Sequence, residues 1–258
     1  MEIRKKIASL VFCLFFLSIA STAQETNVGL FFYTTSYSFG DSTAFLEKQA
    51  NTIKDDLMYS YGFRTSSYPN YTKVNLLNSI ENECSADSSK QLFIYLSGRS
   101  YLEKDDIFLI LNSSDSLKIE SMISLKDLVQ IVENCNAQHV MLFIDAPGAG
   151  QIEKQENVIA VKIGEPDTNL TAEKLTEKAF LSTSVYVIGD NSDSTSLSGN
   201  KRYTPLSGKF LEALRNFGEV DGIIPIEELS YYINNIEPQP FIGTIKEKGE
   251  GNFLFITK

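Results

Sequence analysis

The sequence predicts an α/β domain, a mainly parallel central β-sheet flanked by helices on both faces. Three observations carry this. Continuous apolar runs at residues 28–33, 92–96 and 140–144 have the length of strands buried on both faces. Between them lie segments with helical periodicity and cap residues. The two kinds of segment alternate, which closes most simply into parallel strand pairs covered on two sides, with any site at the carboxyl ends of the strands.

In chain order, Arg4, Lys5 and Lys6 precede an apolar run over residues 7–20 and then Ser21, Thr22 and Ala23, the order of a secretory signal. Residues 1–23 are therefore expected to be a cleaved signal peptide, and residues 24–258 a single domain. The run is shorter than the roughly 20 residues a membrane span needs. A secreted or periplasmic location follows, with no stable membrane insertion after cleavage. Residues 28–33 form the first strand. Leu46, Ala50, Ile53, Leu57 and Tyr61 share one helical face, and Gly62 provides the stop. Residues 63–68 are a short strand. Thr72 caps a helix carrying Leu77, Ile80 and Cys84, and residues 92–96 form the next strand, with a hairpin excursion at 107–111. Ser124 and Asp127 form a capping-box variant opening a helix, followed by the strand at 140–144. Further on, residues 179–185 read as a strand and residues 191–202 as a polar loop. Thr204 and Pro205 start a helix with Phe210, Leu211, Leu214 and Phe217 on its apolar face and Gly218 at its end. Pro225 opens a short helix through Leu229 and Ile233, and residues 253–256 close the chain as a strand.

Composition narrows the function. The 258 residues carry 33 acids against 23 Lys and Arg, a net charge of −10. Removing the signal takes away three cations and Glu2, leaving −12. Such a surface disfavours nucleic acid and anionic membranes, which need clustered cations. His139 is the sole histidine, which excludes sites built on two imidazoles. Gly148 and Gly150 lack the lysine and hydroxyl residue of a phosphate loop, and Asp221-Gly222 before Glu227-Glu228 lacks the alternating oxygen ligands of a calcium loop. Neither metal nor cofactor is expected.

Four passages resemble the caspase and metacaspase family over nearly the whole mature chain. They are the first strand with the helix ending Tyr61-Gly62-Phe63, then Leu92-Phe93-Ile94-Tyr95-Leu96-Ser97-Gly98-Arg99-Ser100, then Leu142-Phe143-Ile144-Asp145-Ala146-Pro147-Gly148-Ala149-Gly150, and finally residues 204–214 with Asp221-Gly222 and Glu227-Glu228-Leu229. The resemblance implies a caspase-like fold in which the second and third passages end in a histidine and a cysteine, base and nucleophile. Here Arg99 takes the histidine position and Pro147 the cysteine position. A guanidinium accepts no proton, and proline has neither a nucleophilic atom nor the amide that serves as one oxyanion donor. Ser100 replaces the glycine whose amide is the other. The resemblance thus implies the fold and denies the activity, pointing to an exported pseudopeptidase that binds an unidentified peptide or protein partner. The alternative is a residual cysteine- or serine-type peptidase.

The remnant cleft implied by the resemblance comprises Ser97, Gly98, Ser100, Asp145, Gly148 and Gly150. Asp145 either accepts a basic side chain of a bound peptide or pairs with Arg99. His139 begins the strand whose other end faces the cleft, so it is expected at the opposite edge of the sheet. Cys84 and Cys135 each end a helix leading into one of two strands expected to be adjacent. A disulfide and two free structural thiols are both compatible with that placement.

Overall fold

The computed structural model describes residues 26–37, 43–86, 89–104, 106–112, 118–162, 171–193, 202–217, 222–245 and 251–258. The expected signal, most of the expected loop at 191–202, Gly218 and Asp221 lie outside them. Among the described residues no helix is long and apolar enough to cross a membrane.

The chain runs through β1 (Thr26–Tyr33), α1 (Phe45–Tyr59), β2 (Arg64–Pro69), α2 (Lys73–Ser85) and β3 (Ser89–Ser97). A small sheet of β4 (Ser100–Glu103), β5 (Asp106–Leu109) and β6 (Ile123–Ser124) follows, then α3 (Leu125–Glu133), β7 (His139–Asp145) and β8 (Val158–Ala160). The remainder is α4 (Ala172–Leu181), β9 (Ser184–Gly189), α5 (Pro205–Phe217), β10 (Ile223–Pro225), α6 (Ile226–Ile233), β11 (Phe241–Ile245) and β12 (Leu254–Ile256). The central sheet has seven strands in the order β2-β1-β3-β7-β9-β11-β8. Its first five strands are mutually parallel, β11 runs antiparallel to β9, and β8, antiparallel to β11, runs in the direction of the first five.

Local chemistry sets the helix starts. Thr72 Oγ1 accepts the Asn75 amide at 3.2 Å, Ser124 Oγ accepts that of Asp127 at 3.0 Å, and Thr204 Oγ1 accepts that of Ser207 at 3.2 Å. After α1, Gly62 takes φ +76°, the left-handed geometry that turns the chain into β2.

Alternation along the strands sorts the core into two layers. Leu92, Ile94, Leu96, Val140, Leu142 and Ile144 face α2 and α3. Phe93, Tyr95, Met141 and Phe143 face α1, α5 and α6. Phe210 of α5 is the centre of the second layer, with ring centroids 5.6 Å from Phe93, 4.8 Å from Phe143 and 5.8 Å from Phe255. Phe210→Ala is expected to cost about 3 to 5 kcal/mol in urea unfolding; a loss below about 1 kcal/mol would mean this layer does not hold the domain.

One sequence expectation changes, and two features of the strands lie beyond the expectations. The strand expected at 179–185 is instead the end of α4, capped at Thr171, whose Oγ1 accepts the Lys174 amide, and β9 starts at Ser184. Apolar residues at a helix end and a strand start are contiguous in sequence, so one run spans both. β11 was not foreseen, since a five-residue strand with Gly243 in its middle carries a weak pattern. The closing strand β12 pairs antiparallel with β10 and stands outside the central sheet.

Candidate functional site

The ends of β3 and β7 form the site. These strands are parallel neighbours, with Gln91 opposite His139 and Ser97 opposite Asp145. Two residues past that last pair come Arg99 and Pro147, the positions that the resemblance sets at the two strand ends. The turn ends are tied directly. The Gly98 amide donates to the Asp145 carbonyl at 3.4 Å, and the Ser100 hydroxyl donates to the Pro147 carbonyl.

The backbone donors beyond Pro147 are engaged. Gly148, at φ +72°, donates its amide to the Ser192 carbonyl at 3.0 Å, Ala149 to Ala146 at 3.1 Å and Gly150 to Asp190 at 3.0 Å. A Cβ on Gly150 would sit 2.0 Å from Asn191 Oδ1, so a larger residue there requires the Asn191 side chain to move. On the other strand the Arg99 amide donates to the Tyr37 hydroxyl at 2.7 Å, and the Arg99 guanidinium lies over the Tyr37 ring, 5.1 Å from its centroid. Tyr37 is positioned by the segment after β1. There Asn70 Oδ1 accepts the amides of Thr35 and Ser36 at 2.9 and 3.1 Å. Burial pushes the Tyr37 phenol up to about 12.

Asp145 does not pair with Arg99. It shares the strand face of Met141 and Phe143, which turns its carboxylate under α1 and α5. There Oδ2 accepts from Gln49 Nε2 at 2.7 Å, Thr204 Oγ1 at 2.6 Å, Tyr95 OH at 3.2 Å and the Ser207 hydroxyl. Gln49 also holds the start of α5, accepting the Thr204 amide at 2.6 Å. Asp145 is 0% exposed, so it is not part of an open cleft surface as expected from the resemblance. It joins β7, β3, α1 and α5 at one point. Burial first, and the charge of Asp190 second, push the carboxyl up to about 7 against the opposing hydrogen bonds of Ser207, Thr204 and Tyr95. Burial also raises Asp190, whose carboxylate accepts from the amide and hydroxyl of Ser192. Asp145 Oδ1 and the Ser97 hydroxyl are buried with no hydrogen-bond partner.

Gln49, Tyr95, Ser207, Tyr37 and Asp190 escaped the sequence reading. Gln49 and Ser207 did leave a signal. Each is a polar residue at a helical position that periodicity assigns to the core, which demands a buried partner.

His139 is buried at the other end of β7, its Nδ1 2.9 Å from Ser184 Oγ, about 20 Å of strand away from Asp145. Cys84 and Cys135 are joined in a disulfide with Cα atoms 4.4 Å apart, and the Asn136 amide donates to the Cys84 carbonyl at 2.9 Å. Glu227 accepts from Asn252 Nδ2 at 2.6 Å, a contact that fixes the start of α6. Among the described residues no group of three His, Cys, Asp or Glu could hold a metal ion.

No sequence family matches the chain, and no curated protein matches it. Among solved structures, caspase-1 from Spodoptera frugiperda is similar, with a TM-score of 0.52 at 11% identity, covering 86% of this chain and 88% of that one. Likeness at that identity concerns architecture, and together with the largely parallel seven-stranded sheet it shows that this chain has a caspase-like α/β fold.

Proposed function

We propose that the protein is an exported pseudopeptidase of caspase-like fold, which acts by binding a peptide or protein partner and not by hydrolysis. The observation that carries this reading is the register of β3 and β7, with Ser97 opposite Asp145, which brings Arg99 and Pro147 to the two strand ends where a base and a nucleophile would stand.

The surroundings support it. A guanidinium offers no lone pair to take up a proton, and Pro147 offers no attacking atom. The amides of Gly148, Ala149 and Gly150 are spent on carbonyls, so they do not await a developing oxyanion. Both described cysteines are bonded to each other, and His139 is at the far edge of the sheet. The Ser100 hydroxyl donates to Pro147, and no imidazole stands beside it.

The test is an assay of residues 24–258 with fluorogenic peptides carrying Arg, Lys or Asp at the cleavage position, together with thiol- and serine-directed active-site probes. The expected result is hydrolysis indistinguishable from the blank and no labelling of the folded protein. Turnover that disappears in Ser97→Ala or Ser100→Ala would overturn the proposal.

A further inference from the structure

Away from the strand ends, α2 and α3 run side by side on the other helical layer and leave a groove of about 490 Å³ between them. Its residues recur along both helices, Leu77 and Glu81 on α2 and Asp127, Gln130 and Ile131 on α3, so the groove follows the helix axes. From Leu77 to Ser85 that is about 12 Å of helix. Leu77 and Ile131 are partly buried against the core and form an apolar floor. The Cys84–Cys135 disulfide closes one end and fixes the spacing of the two helix ends there. The volume lies within the roughly 300 to 1,000 Å³ of ligand sites.

The charges choose the occupant. Glu81 and Asp127 are the charged lining residues, one on each helix, and both are acidic. The Glu81 carboxylate and the Gln130 side chain both line the groove and are exposed. Lys73 approaches Asp127 to 4.0 Å from outside the lining, a long and half-exposed contact that a bound cation can displace. We infer that this groove docks a short segment of a partner protein in which an apolar side chain neighbours a lysine or arginine, the apolar group on Leu77 and Ile131 and the cation between Glu81 and Asp127. The inference does not rest on the loss of hydrolysis proposed above, and its test reads binding alone.

The test uses fluorescence anisotropy of residues 24–258 with labelled tetrapeptides Leu-Lys-Leu-Arg, Leu-Glu-Leu-Glu and Ser-Lys-Ser-Arg. The first is expected to bind at least about tenfold more tightly than either of the others, with affinity falling as salt is raised. Glu81→Lys combined with Gln130→Lys, both exposed positions, is expected to weaken it about tenfold or more. Glu173→Lys, an exposed acid on α4, changes it less than about twofold. Absence of binding, equal binding of Leu-Lys-Leu-Arg and Ser-Lys-Ser-Arg, or equal loss in Glu173→Lys would each overturn the inference, the last two because they indicate general attraction to an acidic protein. Thermal melts of the variants exclude a folding defect as the cause of lost binding.

Discussion

Asp145→Asn is expected to flatten the pH dependence of stability between about pH 4 and 7 and to be more stable than the parent at pH 8. Burial and Asp190 push the Asp145 carboxyl up to about 7, while an unfolded aspartate titrates near 4. Between these values the folded chain holds a proton that the unfolded chain has released. Stability from this group is therefore fully present below the unfolded value and falls as pH rises to about 7. The full shift corresponds to about 4 kcal/mol. Asparagine keeps an oxygen for Gln49, Thr204, Tyr95 and Ser207 and puts its amide where Oδ1 already lacks a partner, so the site keeps its geometry and sheds its charge. Asp190 is raised too and leaves a slope of the same sign. Urea unfolding of parent and variant at pH 5, 6, 7 and 8 measures it. Parallel curves, or a variant weaker at pH 8, would show that Asp145 is ionised at little cost in the fold.

Removing the disulfide by Cys84→Ala with Cys135→Ala is expected to lower stability by about 4 kcal/mol. The bridge spans 51 residues of sequence, and closing a loop of that size restricts the unfolded chain by this amount. Both sulfurs are buried, so the lost packing adds to the entropic cost. Urea midpoints of the double variant and of the parent in reductant should fall together, well below the oxidised parent. A difference under about 1 kcal/mol would indicate that α2, α3 and the strands they enter keep the unfolded chain just as restricted without the bond.

Much of the scaffold was legible because it rests on local rules. Thr72, Ser124 and Thr204 announced helix starts by residue type, and each hydroxyl accepts the amide that type predicts. The apolar runs of β1, β3 and β7 announced buried strands because a strand covered on two faces has no polar side to show. Where the rule was local but shared by two elements, as across the end of α4 and the start of β9, the boundary was misplaced. The candidate site was legible in its backbone placement. Arg99 and Pro147 follow from two motif strands and their pairing.

The partners of Asp145 were not legible, and the reason is physical. Whether a residue at a strand end looks toward one helical layer or the other depends on the phase of alternation through its strand, and who meets it there depends on how distant helices dock. Gln49 lies 96 residues away and Ser207 lies 62 away, on two helices that pack on the Phe93 and Phe143 face of the sheet. Tertiary closure also brings Arg99 over the Tyr37 ring and leaves a groove between α2 and α3. Residue type and spacing suffice for elements and for the chemistry a side chain can perform. The contacts a buried charge finds, and the surfaces left open, exist only once the layers have closed, because they are formed by groups brought together from across the chain.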